Sequence, residues 1–229
     1  MGKRAVRRQP EKSRRLSPAS VPLIPRNDLQ ADILHALKTE DQVFVIGAAG
    51  TGKTYLATSY AAIELSSHNY DRIILVRPAV AAGEEHGFLP GDIKEKMDPW
   101  VRPFIDVLEE RMSKTGAQQA LQDGRIEICP IAYMRGRSID NALILVDEAQ
   151  NCTYEQLKMI LTRVGDNSKI FVFGDHTQTD LGSRSGLPAF AKMAEEGGVS
   201  VFQFGPEHVV RSKICQFWTE QTTCWESRK

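Results

Sequence analysis

Metal-binding cysteine pairs are missing from this chain: Cys129, Cys152, Cys215 and Cys224 form no C-x-x-C, and the five histidines fall at no ligand-like spacing. A structural zinc site is therefore not expected, and scattered cysteines of this kind read as free thiols. Long apolar runs are missing too. Nothing approaches the ~20 residues that a membrane span requires, and residues 1–26 lack the apolar core of a signal peptide. The expectation is a cytoplasmic protein without membrane contact. Net charge is also absent, because 29 basic residues balance 29 acidic ones. The balance is uneven along the chain. Residues 1–26 hold eight bases (Lys3, Arg4, Arg7, Arg8, Lys12, Arg14, Arg15 and Arg26) against Glu11, leaving 21 bases and 28 acids beyond them. With Pro10, Pro18, Pro22 and Pro25 and few apolar residues, this stretch is expected as a disordered basic tail, 1–26, ahead of one domain, 27–229. A basic arm on an acidic body fits contacts to nucleic-acid phosphates that weaken with salt; a solubilising arm, or one folded against acidic neighbours in an oligomer, are the other readings. A length of 229 residues suits a single domain with a sizeable core, and no internal repeat is visible.

Against those absences stands one complete phosphate-binding loop. A β-branched run, Val43 to Ile46, ends at Gly47-Ala48-Ala49-Gly50-Thr51-Gly52-Lys53-Thr54, and a helical pattern, Tyr55 to Leu65, follows. The spacing G-x-x-x-x-G-K-S/T has a physical basis. Glycines let the backbone curl so that successive N–H groups point at phosphate oxygens, and the helix adds its positive end. Lys53 is placed to reach the β- and γ-phosphates and the Thr54 hydroxyl to ligate Mg²⁺. A nucleoside triphosphate is the expected ligand.

A second segment, Ala142 to Val146, reads as a strand buried on both faces and ends in Asp147-Glu148. Carboxylates at that edge lie where α/β sheets bind ligands. Asp147 is expected to hold Mg²⁺, directly or through water, and Glu148 to act as the general base on an attacking water. A bland alternative is an acidic pair capping the helix that begins near Thr153. A third strand, Lys169 to Phe173, runs into Gly174-Asp175-His176-Thr177-Gln178. Gln178 is the candidate sensor of the γ-phosphate, since a neutral amide bonds phosphate and water alike; an ordinary Gly-Asp turn is the alternative.

Taken together, these residues resemble the PhoH-like family of P-loop ATPases, whose core is similar to the motor domain of superfamily 1 helicases. The resemblance spans roughly 27–217 and rests on an ordered set of motifs: Gly47–Thr54, Ile74–Val80, Gly87–Asp92, Tyr133–Arg137, Ile144–Asn151 and Phe173–Leu181. It implies ATP and Mg²⁺ as cofactors, with Gln30 at the family's adenine-recognising glutamine and Arg211 at an arginine of its last motif. It also implies catalytic roles for Lys53, Glu148 and Gln178, and coupling of hydrolysis to RNA or single-stranded DNA. Departures exist: Ala48 stands where the family usually has proline, Gly182 replaces another, and Ser212-Lys213 replaces the usual His-Pro after Arg211. A superfamily 1 helicase closes ATP between two such domains, so a homo-oligomeric ring is expected, with Arg135, Arg137, Arg184 or Arg211 completing a neighbour's site.

The remaining pattern completes an α/β layout, a single RecA-like P-loop domain with a mostly parallel sheet and helices on both faces. Asn27 is expected to cap a helix to about Leu37. Arg72 to Arg77, Ile126 to Cys129 and Val199 to Phe204 read as strands, and Thr153 to Val164 and Leu187 to Glu195 as helices. Ile93 to Met112 reads as a helix interrupted at Pro99 and Pro103, with Trp100 and Phe104 serving as core or as a base-stacking pair. Two functional alternatives remain: an ATP-gated binding or assembly module with negligible turnover, and a small-molecule or nucleotide kinase. The kinase would need an acceptor pocket and an arginine-rich lid.

Overall fold

The structure, a computed structural model, describes residues 22–78, 93–210 and 212–226, with backbone only at 93–100, 206, 219, 223 and 226. The Gly87–Asp92 motif, Arg211 and the side chain of Trp100 lie outside the described residues. Six strands form one sheet: β1 Gln42–Gly47, β2 Arg72–Arg77, β3 Ile126–Pro130, β4 Ala142–Val146, β5 Lys169–Gly174 and β6 Ser200–Phe204. Their order is β3-β2-β4-β5-β1-β6, and every pairing is parallel. The apolar runs explain the placement. All of β4 and β5 is buried, as strands covered on both faces must be.

Helices occupy both faces. Alternate residues of each strand feed two cores: Val45, Leu145 and Phe171 pack under α1 (Asp28–Thr39), α2 (Lys53–Ser66), α3 (Ile93–Met112) and α4 (Lys114–Gln122). Ile46, Ile144 and Val172 pack under α5 (Tyr154–Leu161) and α6 (Leu187–Glu196). Local signals set the helix starts. The Asn27 side chain accepts the Gln30 N–H at 2.8 Å, and Thr153 with Gln156 closes a capping box on α5. An arm, α7 (Lys213–Glu226), follows β6.

Two expectations are corrected, on α3 and α5, and one open choice, on Phe104, is decided. The α3 helix is continuous through Pro99 and Pro103. Burial of Val101, Phe104, Leu108 and Met112 on the core face outweighs the proline cost of about 3 kcal/mol. Phe104 is core, with 2% exposure, and so is not a base-stacking platform. The α5 helix stops at Leu161 rather than Val164, because the Thr162 hydroxyl turns back to the Lys158 carbonyl and Val164 bridges Ile139. Neither α4 nor α7 was anticipated; α4 carries too few apolar residues in period.

This topology puts the loops after β1, β2, β4 and β5 at one edge, with β5 between β1 and β4. Gly47 is obligatory there: at φ 143°, a Cβ would lie 2.4 Å from the Phe204 carbonyl oxygen.

Candidate nucleotide site

The carboxyl edge of the sheet holds a cavity of about 610 Å³ whose wall includes Gln30, Ala49, Gly50, Gly52, Lys53, Thr54, Arg77, Asp147, Glu148 and Gln178. Residues from four loops, far apart in sequence, therefore converge. The Gly47–Gly52 turn uses φ 83° at Gly50 and φ 90° at Gly52, and Thr51 is fully buried with its hydroxyl donating to the Ala48 carbonyl at 2.9 Å. No side chain caps the amino end of α2, which begins at Lys53. A capless helix start behind a glycine turn is a ready anion site. The Lys53 ammonium donates to the Ala48 carbonyl at 2.8 Å and also to that of Gly47, folding over the loop it serves.

Two carboxylates close the cavity's floor. The Thr54 hydroxyl donates to Asp147 Oδ1 at 3.2 Å, so a hydroxyl and a carboxylate stand side by side. Among the described residues no cluster of three His, Cys, Asp or Glu side chains suits a metal. Mg²⁺ does not require one, because it keeps waters and phosphate oxygens alongside one or two protein ligands, and this donor pair fits it. Burial pushes the Asp147 carboxyl up to about 6; the Arg77 guanidinium opposes the shift, the Glu148 carboxylate adds to it, and the Thr54 hydroxyl opposes it.

That elevation has a sign for stability. A carboxyl raised above its ordinary 3.8 destabilises the fold where it is ionised, above about pH 6, and the cost fades as pH falls towards 4. Asp147→Asn removes it. Without nucleotide or Mg²⁺, the variant is expected to be more stable than wild type at pH 8, by up to about 3 kcal/mol. The gain should shrink by pH 5. Thermal melts at the two values check this, and an equal destabilisation at both would refute it.

Beyond the acid pair, the β5 loop contributes two groups. Gln178 is exposed on the cavity wall, and its N–H donates to the Asp175 carbonyl at 3.0 Å. Asp175 is 5% exposed; its Oδ1 accepts from the Thr177 N–H at 3.0 Å and hydroxyl at 2.6 Å, while Oδ2 is buried without a partner among the described residues. At the opposite wall, Gln30 is buried and braces the loop, its Nε2 donating to the Thr51 carbonyl at 2.9 Å. Its Oε1 accepts the Arg26 N–H at 2.8 Å.

Some features were not legible in the sequence. Residues 22–26, grouped by composition with the basic tail, belong in part to the domain: Leu23 packs on the core, Ile24 and Arg26 line the cavity, and Arg26 Nη1 donates to the Val210 carbonyl at 3.2 Å. Arg137 is withdrawn as a candidate for a neighbour's site. Its fork is spent on Glu127, at 2.6 and 2.8 Å. Arg135 and Arg184 are exposed. Arg77 had no assigned role, yet it stands 3.6 Å from Asp147 Oδ2 and 3.2 Å from Glu148 Oε1. The signals were a basic residue ending an apolar strand and its place in the Ile74–Val80 motif.

With this geometry in view, comparison with known proteins is informative. The family model described as PhoH-like protein matches residues 22–222. Protein PhoH of Escherichia coli (strain K12) is 45% identical over 200 residues, covering 85% of this chain and 56% of that protein. The PhoH-like protein of Bacillus subtilis (strain 168) is 46% identical over 200 residues, covering 84% and 62%. The chain thus spans little more than half the length of these curated relatives. Among solved structures, the large terminase from a thermophilic bacteriophage aligns over 83% of this chain and 48% of that chain, at 10% identity and a TM-score of 0.46, too distant to bear on function.

Proposed function

The chain belongs to the PhoH-like family, and from that premise we propose that it binds ATP with Mg²⁺ and hydrolyses it. The observation that carries the reading is the contact of the Thr54 hydroxyl with Asp147, with Glu148 beside it, on the cavity that the glycine loop also lines. In this reading Gly47, Ala48, Ala49, Gly50, Thr51 and Gly52 turn backbone N–H groups to the phosphates, and Lys53 neutralises their charge. Thr54 and Asp147 would hold Mg²⁺, which would supply charge neutralisation for the phosphates. Glu148 takes the proton of an attacking water, and Gln178 orients that water against the γ-phosphate. Gln30 keeps one amide hydrogen for the adenine edge, and Arg211 is assigned to the nucleotide on the resemblance alone. The buried Asp175 Oδ2 is left with room for a hydrogen-bond donor.

The finer reading is coupling of this hydrolysis to RNA or single-stranded DNA in a cytoplasmic homo-oligomeric ring, with the basic residues ahead of residue 22 on the nucleic acid. Arg135 and Arg184 remain the described candidates for reaching a neighbour's site. No helix among the described residues is long and apolar enough to cross a bilayer. A second reading, an ATP-gated assembly module, draws on α7, where Ile214, Phe217, Trp218 and Trp225 are exposed in a row that a partner copy would cover. The test is ATPase rate with and without single-stranded RNA and DNA, alongside sedimentation with ATP. Stimulation by a nucleic acid is expected. A flat, negligible rate with ATP-dependent assembly would replace hydrolysis by the second reading.

A further inference from the structure

Glu148 occupies a backbone conformation that its side chain disfavours. Its φ is 53° and ψ 39°, the left-handed region that non-glycine residues adopt at a cost of order 1 kcal/mol and hold only when neighbours over-determine it. Here the neighbours are visible. Glu148 Oε1 pairs with Arg77 Nη2 at 3.2 Å, and Oε2 accepts Gln150 Nε2 at 2.6 Å. One carboxylate is thus gripped from two directions.

The two gripping residues are themselves fixed by the sheet. Arg77 ends β2, which pairs with β4 so that Val76 faces Val146, and the Asp147 N–H donates to the Val76 carbonyl at 3.0 Å. Its guanidinium is largely buried and faces both Asp147 and Glu148. Gln150 is 1% exposed. Its Oε1 accepts the Asp175 N–H at 2.9 Å, and its carbonyl accepts the Thr179 hydroxyl at 2.9 Å, on either side of Gln178. Gly174 leaves room for this contact, since a Cβ there would lie 2.6 Å from Gln150 Oε1.

We propose that Arg77 and Gln150 are positioning residues for the general base, Arg77 locking Glu148 to strand β2 and Gln150 locking it to the β5 loop that carries Gln178. The inference rests on Glu148 acting as base in the reading above. It goes further by making turnover depend on groups that need not touch nucleotide. Geometry of this kind matters because a base displaced by about 1 Å loses on the order of 10²-fold in rate.

The experiment is steady-state ATPase kinetics on the full chain with Arg77→Gln and Gln150→Met, each alone and combined with Glu148→Gln, beside equilibrium binding of Mg²⁺–nucleotide. Gln150→Met is the arm that leaves Asp147 untouched and preserves side-chain length, should Arg77→Gln fold poorly in thermal melts. Each single variant is expected to lower kcat roughly 10- to 100-fold, and Gln150→Met, which leaves Asp147 untouched, is expected to keep nucleotide affinity and KM within about 3-fold. In the Glu148→Gln background Gln150→Met should cost nothing more, because a positioner has no effect once the base is gone. A kcat that stays level or rises in both variants overturns the proposal, as does a further loss when Gln150→Met is added to Glu148→Gln, which would mean action through the fold. A wild type that binds nucleotide without hydrolysing it overturns the base role first, an outcome told apart by the absence of any rate to lose.

Discussion

Glutamine at position 148 is expected to leave ATP bound and nearly abolish its hydrolysis. The substitution keeps the volume and one acceptor for Gln150, but the amide cannot take a proton from water. Loss of a general base costs on the order of 10²–10⁴ in rate. Binding should survive for a reason specific to this site. The Glu148 charge is one of the causes raising the neighbouring Asp147 carboxyl, so its removal favours the ionised Asp147 that a metal needs. Mg²⁺–nucleotide affinity is therefore expected to be unchanged or improved, while kcat collapses. Both are read by single-turnover hydrolysis and by equilibrium titration with a fluorescent nucleotide. Turnover within 2- or 3-fold of wild type would remove Glu148 from the chemistry and leave Asp147-Glu148 as an ion-pair partner of Arg77.

The complementary expectation is loss of binding in Lys53→Ala. Its ammonium is the charge held over the glycine loop, donating to the Gly47 and Ala48 carbonyls. A triphosphate would compete for those same protons. Charge-assisted contacts are worth about 1.5–3 kcal/mol each, so a roughly 10- to 100-fold weaker Kd for ATP is expected. The loss should be larger for triphosphate than for adenosine, which carries no phosphate for the lysine to meet. Equal weakening for both would mean that Lys53 matters for the loop's shape and not for phosphate. Melting temperature separates the two roles, because a lysine that merely braces the loop lowers it without discriminating between ligands.

These two expectations draw on residues that a linear reading identifies, and the reason lies in locality. A phosphate loop is a turn between a strand and a helix, so its glycines, lysine and threonine are neighbours in sequence as well as in space. The same holds for Asp147-Glu148 at the end of an apolar strand. Strand and helix alternation likewise announced a parallel sheet covered on both faces, since buried strands must be apolar throughout. Legibility failed where a distant contact overrode a local rule. Pro99 and Pro103 break helices by local chemistry, yet α3 runs on because its buried face packs across α2. Residues 22–26 look like the rest of a basic arm, yet Leu23 finds the core and Arg26 the Val210 carbonyl.

By itself, then, the sequence determined that this is a P-loop protein of the PhoH-like family, with the identity of its glycine-loop and acidic residues, because spacing along the backbone suffices for both. The tertiary structure alone decided which groups surround them. Arg77 and Glu148 are 71 residues apart and meet only through the β2–β4 register. Gln30 reaches the loop at Thr51, 21 residues on, and Gln150 meets Asp175 only because β5 lies beside β4. Strand register is set by the burial of whole faces, a property of the assembled sheet that no single segment carries.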